Sequence, residues 1–205
     1  MLLGEPLVSG KLKERFNHSI EREAELLVRA GFTPHAITAM GFVLSLFSSG
    51  LYMVTWNRQL TVPVAGIVLL LSGFFDALDG AVARLSGKAT TFGGFLDSVV
   101  DRYSDAVVLI AIVLGGLCET IWGLLALVGS LLVSYARARA EAADVMMMSK
   151  GLAERPERMI LIALMSLASY VWLPILGWGI ILLALVSHFT VLQRVYYFRK
   201  AVIDQ

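Results

Sequence analysis

Four aspartates stand close together in an otherwise apolar stretch of this chain. They read Asp76-x-x-Asp79-Gly80-x-x-Ala83-Arg84, then eight residues, then Gly93-x-x-x-Asp97-x-x-x-Asp101. An ionised carboxylate at the centre of a bilayer costs roughly 2.5 to 3.5 kcal/mol on insertion scales, so four persist only where they face a polar cavity and share a cation. Spacings of three and four place side chains on one face of a helix. Asp76, Asp79, Gly80, Ala83 and Arg84 therefore form one stripe, and Gly93, Asp97, Asp101 and Asp105 form a second on the following helix. Facing each other across a gap that Gly80, Ala83 and Gly93 keep open, the stripes make an oxygen-rich site with room for substrate phosphates. That is the pattern of Mg²⁺ rather than of an all-protein Ca²⁺ cage, and no His or Cys stands nearby to suggest zinc.

The elements that must carry these residues are membrane helices. Apolar residues make up 58% of 205 positions, and the mean hydropathy is +0.76. A soluble domain of this size cannot hide that much apolar surface in one core, so the fold class is an all-α integral membrane protein. The pattern predicts six transmembrane helices over 34 to 56, 60 to 84, 91 to 117, 120 to 143, 156 to 173 and 177 to 199. Pro34, Pro63 and Pro156 suit first turns, where a missing amide costs little. Before them, Leu12, Phe16, Ile20, Ala24 and Leu27 recur at helical spacing among charged residues, which predicts an amphipathic helix in the interface, stopping near Gly31. Residues 1–33 thus read as a juxtamembrane segment and 34–205 as one six-helix membrane domain.

In this arrangement all of the 17 Lys and Arg except Arg58 fall on one side. The excess of basic residues inside puts both termini and the carboxylate cluster in the cytoplasm, in a multi-pass protein of the cell membrane. Those residues are spread as topology requires and the net charge is +1, so nothing points to nucleic acid. Cys118 is the single cysteine, which excludes an internal disulfide. Met146 to Met148 read as a lipid-contacting loop.

The order and spacing of the eight motif residues between positions 76 and 101 resemble the signature of the CDP-alcohol phosphotransferase family, and all eight match. The resemblance implies a six-helix membrane enzyme, a homodimer, and a site for two Mg²⁺ or Mn²⁺ ions with Asp76, Asp79 and Asp97 as main ligands. It implies that Asp101 contacts one metal and is the catalytic base that deprotonates the attacking hydroxyl. Asp79, Gly80, Ala83, Arg84 and Gly93 would bind the CDP-lipid. The implied reaction moves the phosphatidyl-type group of CDP-diacylglycerol or CDP-archaeol to an alcohol and releases CMP.

Downstream, Ser134-Tyr135-Ala136-Arg137-Ala138-Arg139-Ala140-Glu141 and Glu154-Arg155-Pro156-Glu157-Arg158 resemble the prokaryotic phosphatidylinositol-phosphate and archaetidylinositol-phosphate synthases. That subgroup takes inositol 1-phosphate, and the likeness implies a phosphate cage of Arg137, Arg158 and Arg194. Three arginines from separate helix ends suit a phosphate monoester, which a neutral alcohol would not need. Arg155 and Arg139 are expected to pair with Glu141, Glu154 or Glu157 or to orient the loop, and His35 to sit in the interface. Glycerol 3-phosphate is the alternative acceptor, and a divalent-cation transporter is the reading from another class, since intramembrane carboxylates also mark ion paths.

Overall fold

In the computed structural model, residues 10–54, 56–147 and 151–203 are described, with side chains of the first helix described from Ile20 onward. Residues 1–9, Met148 and the side chains of Leu12 and Phe16 lie outside that set. The described residues form seven helices and no strand: α1 Gly10–Arg29, α2 Pro34–Met53, α3 Arg58–Leu85, α4 Thr91–Leu114, α5 Thr120–Glu141, α6 Arg155–Ala168 and α7 Ile175–Ile203.

Local chemistry sets the helix limits. Thr33 caps α2, accepting a hydrogen bond from the Ala36 amide at 3.3 Å with Pro34 behind it. Thr90 caps α4 by accepting from the Gly93 amide at 3.0 Å. Each cap satisfies an amide that a helix start leaves without a partner. At the other end of α1, Gly31 takes a φ of +83°, which lets the Phe32 amide reach back to the Leu27 carbonyl at 3.0 Å and closes the helix in a left-handed turn.

Several limits differ from the expected ones by a few residues. Because α3 opens at Arg58, Pro63 lies inside the helix rather than in its first turn. The α6 helix stops at Ala168, where the Ser169 hydroxyl donates to the Ser166 carbonyl at 2.6 Å, and α7 opens directly after Pro174. Met147 does not face lipid: it is buried against Ala140 and Val145, with Phe198 and Ala201 of α7 around it.

Four helices, α2, α3, α5 and α7, are long and apolar enough to cross a membrane. Of the six crossings expected, the remaining two, α4 and α6, carry the polar chemistry or are short. Asp97, Asp101, Arg102 and Asp105 occupy the first half of α4, and α6 has 14 residues. Large apolar side chains such as Val43, Phe47, Leu114 and Leu185 point outward from the bundle, an arrangement that lipid stabilises and water does not.

Helix pairs α2 with α3 and α4, α3 with α6, α5 with α4 and α7, and α6 with α7 pack around a core that includes Tyr52, Leu69, Ile112, Ala126, Ile162 and Leu183. Hydroxyls tie the pairs together. Tyr52 bonds Ser166 at 2.7 Å, Ser48 donates to the Ala65 carbonyl at 2.8 Å, and Ser72 donates to the Gly41 carbonyl at 2.8 Å. The α1 helix is not loose on the surface: Ile20 and Ala24 are buried against Ile37, Leu78, Ala81 and Val82. It thereby braces the end of α3 that carries the motif.

Small residues permit the close crossings, as they do between membrane helices generally. A Cβ on Gly66 would come within 2.7 Å of Ser166 Cβ and 3.0 Å of the Ala163 carbonyl oxygen. Gly66→Ala must therefore push α3 from α6, and it is expected to destabilise the bundle by roughly 1 to 3 kcal/mol, read as a lowered thermal midpoint in detergent micelles. An unchanged midpoint would mean that the crossing has slack.

Candidate functional site

Four helix segments meet at one end of the bundle. The last turns of α3 bring Asp76 and Asp79, the first half of α4 brings Asp97, Asp101 and Asp105, the start of α2 brings Thr38, and the first residue of α6 is Arg155. They enclose a cleft lined by Thr38, Asp76, Asp79, Asp101, Ser104 and Arg155.

Asp76, Asp97 and Asp101 each present one carboxylate oxygen, and these oxygens all lie within 4.8 Å of one another. Three anions so close repel strongly away from bulk water, so a cation is required to offset them. The donor set is all oxygen. Asp97 Oδ1 is buried with no hydrogen-bond donor, which leaves it free to bind a metal, whereas Asp101 Oδ1 is approached by Arg155. These residues fit Mg²⁺ or Mn²⁺, both hard ions that prefer oxygen.

The fourth motif carboxylate stands slightly apart. Asp79 is buried, faces the same cleft, and accepts a 2.5 Å hydrogen bond on Oδ2 from the Thr38 hydroxyl. That bond fixes the rotamer of Asp79. The Thr38 hydroxyl also lies 3.1 Å from the Pro34 carbonyl, and sequence reasoning did not single it out.

The small motif residues also find reasons. A Cβ on Gly80 would sit 3.3 Å from Arg84 Nη1, so the absent side chain lets the Arg84 guanidinium lie back over its own helix. Gly93 is close to its neighbours: a Cβ there would be 3.1 Å from Thr90 Oγ1 and 3.5 Å from the His35 ring. His35 also meets Phe92 edge-on, with ring centroids 6.4 Å apart. It therefore stands beside the start of α4. Ala83 is half-buried on the same stripe.

Arg155 departs most from the sequence expectation. Instead of pairing with Glu141, Glu154 or Glu157, its Nη1 pairs with Asp76 and with Asp101 Oδ1 at 3.0 Å, and its Nε lies 3.5 Å from Asp105. The available signal was that Asp105 extends the acidic stripe of α4 while only Arg102 is basic nearby. A further cation had to come from another helix.

Beyond Asp105 the charge changes sign. Arg158 is buried, donating to Asp105 at 2.6 Å and to the Ala153 carbonyl at 3.0 Å. Arg194, also buried, donates to the Val133 carbonyl and lies 3.5 Å from Glu154. Half-exposed Arg137 donates to Glu141 at 2.8 Å. Arg194 of α7 ties α5 to the residue that precedes α6. Thus α5, α6 and α7 each bring one arginine to this end of the bundle.

A family model described as CDP-alcohol phosphatidyltransferase matches residues 32–192. The chain is 42% identical over 190 residues to the archaetidylinositol phosphate synthase of Pyrococcus horikoshii, covering 93% of this chain and 96% of that protein. Among solved structures it resembles Mycobacterium tuberculosis phosphatidylinositol phosphate synthase with CDP-DAG bound, at TM-score 0.74 and 32% identity over 87% of this chain and 92% of that one. The same mycobacterial protein in complex with manganese and citrate gives TM-score 0.74 and 32% identity, covering 87% and 88%.

The geometry makes Asp97 a sharp test, because one of its oxygens has no hydrogen-bond donor to compete with a metal. Asp97→Asn is expected to weaken Mn²⁺ binding, followed by the paramagnetic resonance of the free ion, by more than about 10-fold, the smallest loss usual even for an outer partner of a metal. Equal affinity in variant and parent would remove Asp97 from the donor set.

Proposed function

Because this chain belongs to the CDP-alcohol phosphatidyltransferase family, we propose that it transfers the phosphatidyl-type group of a CDP-linked lipid to inositol 1-phosphate and releases CMP. One observation carries this reading. A carboxylate cluster fit for divalent ions and a convergent group of arginines stand side by side, joined by the Asp105–Arg158 pair. An activated pyrophosphate needs the first, and an acceptor that is itself a phosphate needs the second.

Asp76, Asp79, Asp97 and Asp101 would hold two divalent ions, Mg²⁺ or Mn²⁺, which would supply charge neutralisation for the pyrophosphate and the departing CMP. The chain does the rest. Arg84, exposed at the end of α3, offers a planar fork of donors to a phosphate, and Gly80, Ala83 and Gly93 leave space for the nucleotide beside it. Asp101, on the cleft wall, accepts the proton of the attacking hydroxyl as general base. Arg137, Arg158 and Arg194 hold the acceptor phosphate so that its hydroxyl faces Asp101. Glu141 and Glu154 keep those arginines paired and oriented until the acceptor arrives.

The lipid donor accounts for the site's position at one end of a membrane bundle, with the tails in hydrocarbon and the nucleotide in water. In this reading α2 to α7 make six crossings and α1 lies in the interface. Both termini and the cleft face the cytoplasm of a homodimeric enzyme in the cell membrane. The support is the basic excess at the cleft end and the outward apolar surface.

Purified protein with labelled CDP-diacylglycerol or CDP-archaeol and Mg²⁺ is expected to release CMP only when inositol 1-phosphate is added. Release driven by glycerol 3-phosphate alone would reassign the acceptor. Asp101→Asn is expected to lower kcat by at least ~100-fold, the low end of a general base's contribution, while equilibrium binding of a CDP-lipid stays close to that of the parent. A parallel loss of binding would make Asp101 a ligand only.

A further inference from the structure

The acidic cluster already contains one cation, and it belongs to the chain. The Arg155 side chain is only 15% exposed, and its Nη1 lies in contact with Asp76 Oδ2 and 3.0 Å from Asp101 Oδ1. A divalent ion bound through these carboxylates needs their oxygens at about 2.0 to 2.2 Å. A guanidinium and a dication drawing on the same oxygens would stand within a few ångströms of each other, where two positive charges repel by several kcal/mol at an effective dielectric constant near 20. They compete.

We propose that Arg155 is an internal counter-ion which satisfies Asp76 and Asp101 in the absence of metal and must withdraw its guanidinium for divalent ions to load. This rests on the reading that the aspartate cluster holds such ions. The structure also supplies the pivot. Arg155 Nε lies 3.5 Å from Asp105 Oδ1, and Asp105 is itself held by Arg158 at 2.6 Å. Arg155 can release Asp76 and Asp101 by rotating its outer bonds while its inner nitrogen stays near Asp105. Nε has no aligned acceptor of its own, so it has a donor to spare for that interaction. Its backbone stays in place, because Arg155 opens α6 and Pro156 fixes the first turn.

The arrangement has two consequences. It lets the bundle fold without metal, since Asp76, Asp101 and Asp105 share the Arg155 cation until an ion loads. It also raises the threshold for loading, because an incoming ion must displace a charge-assisted contact that is already made.

The experiment uses the full chain in detergent micelles without substrate, with Mn²⁺ binding followed by paramagnetic resonance and thermal midpoints measured with and without Mn²⁺. Arg155→Gln is expected to bind Mn²⁺ about tenfold more tightly, within the 5- to 150-fold usual for coupled sites. It is also expected to melt lower than the parent in chelator and to gain more on Mn²⁺ addition. Arg155→Lys, which keeps the charge, should stay near the parent. Unchanged or weaker Mn²⁺ affinity in Arg155→Gln overturns the proposal.

A second measurement needs no variant. Phenylglyoxal modification of the parent, read by peptide mass mapping, is expected to reach Arg155 faster when Mn²⁺ is bound, and a constant or slower rate overturns the proposal. Failure of the parent to bind Mn²⁺ at all overturns the underlying metal reading instead, so the two failures are told apart.

Discussion

Mutual repulsion among Asp76, Asp97 and Asp101 is the constraint around which the rest of this molecule is arranged. Their oxygens lie within 4.8 Å of one another in a setting with little bulk water. Such a cluster is tolerable only beside compensating positive charge, which the chain brings from α6 through Arg155 and which metal supplies in function. Every nearby element serves that compensation or the placement of the acids. Thr38 pins Asp79, Arg102 sits 3.2 Å from Asp101, and Asp105 links the cluster to Arg158.

Placing acids this closely demands a scaffold that does not yield. Between membrane helices there is little hydrophobic drive for association, so close packing and interhelical hydrogen bonds carry the load. The bond from Ser72 to the Gly41 carbonyl joins α2 to α3 about one turn from Thr38 and about two turns from Asp79, and Ser45 bonds Ser104 at 3.2 Å to join α2 to α4. On the far side, Gly66 seats α3 against α6, which fixes the direction from which Arg155 enters. The same contacts that stabilise the bundle therefore set the geometry of the site.

The two halves of the proposed reaction are joined through one ion pair. Asp105 faces Arg155 on one side and Arg158 on the other, so the metal-binding acids and the arginine group share a charged hinge. A change in charge on either side is felt at Asp105 before it is felt across the cleft. This explains why a residue outside the eight-residue motif is placed one turn beyond its last aspartate.

Much of this was legible in the chain itself. Helical spacing alone placed Asp76 and Asp79 on one stripe and Asp97, Asp101 and Asp105 on another, because a helix returns to the same face every three to four residues whatever surrounds it. Hydropathy marked the long apolar helices, and Pro34 and Pro156 marked where α2 and α6 begin. Spacing could not say which side chain from a distant helix answers those acids. Arg155 has glutamates beside it in sequence, yet it pairs with Asp76 and Asp101, because the α3–α6 crossing brings it to them and carries it away from Glu157. Thr38 and His35 were silent for the same reason: their roles come from contacts with Asp79 and Gly93, more than forty positions away. Periodicity is a property of one helix, and the pairing of charges between helices is decided only when the bundle closes.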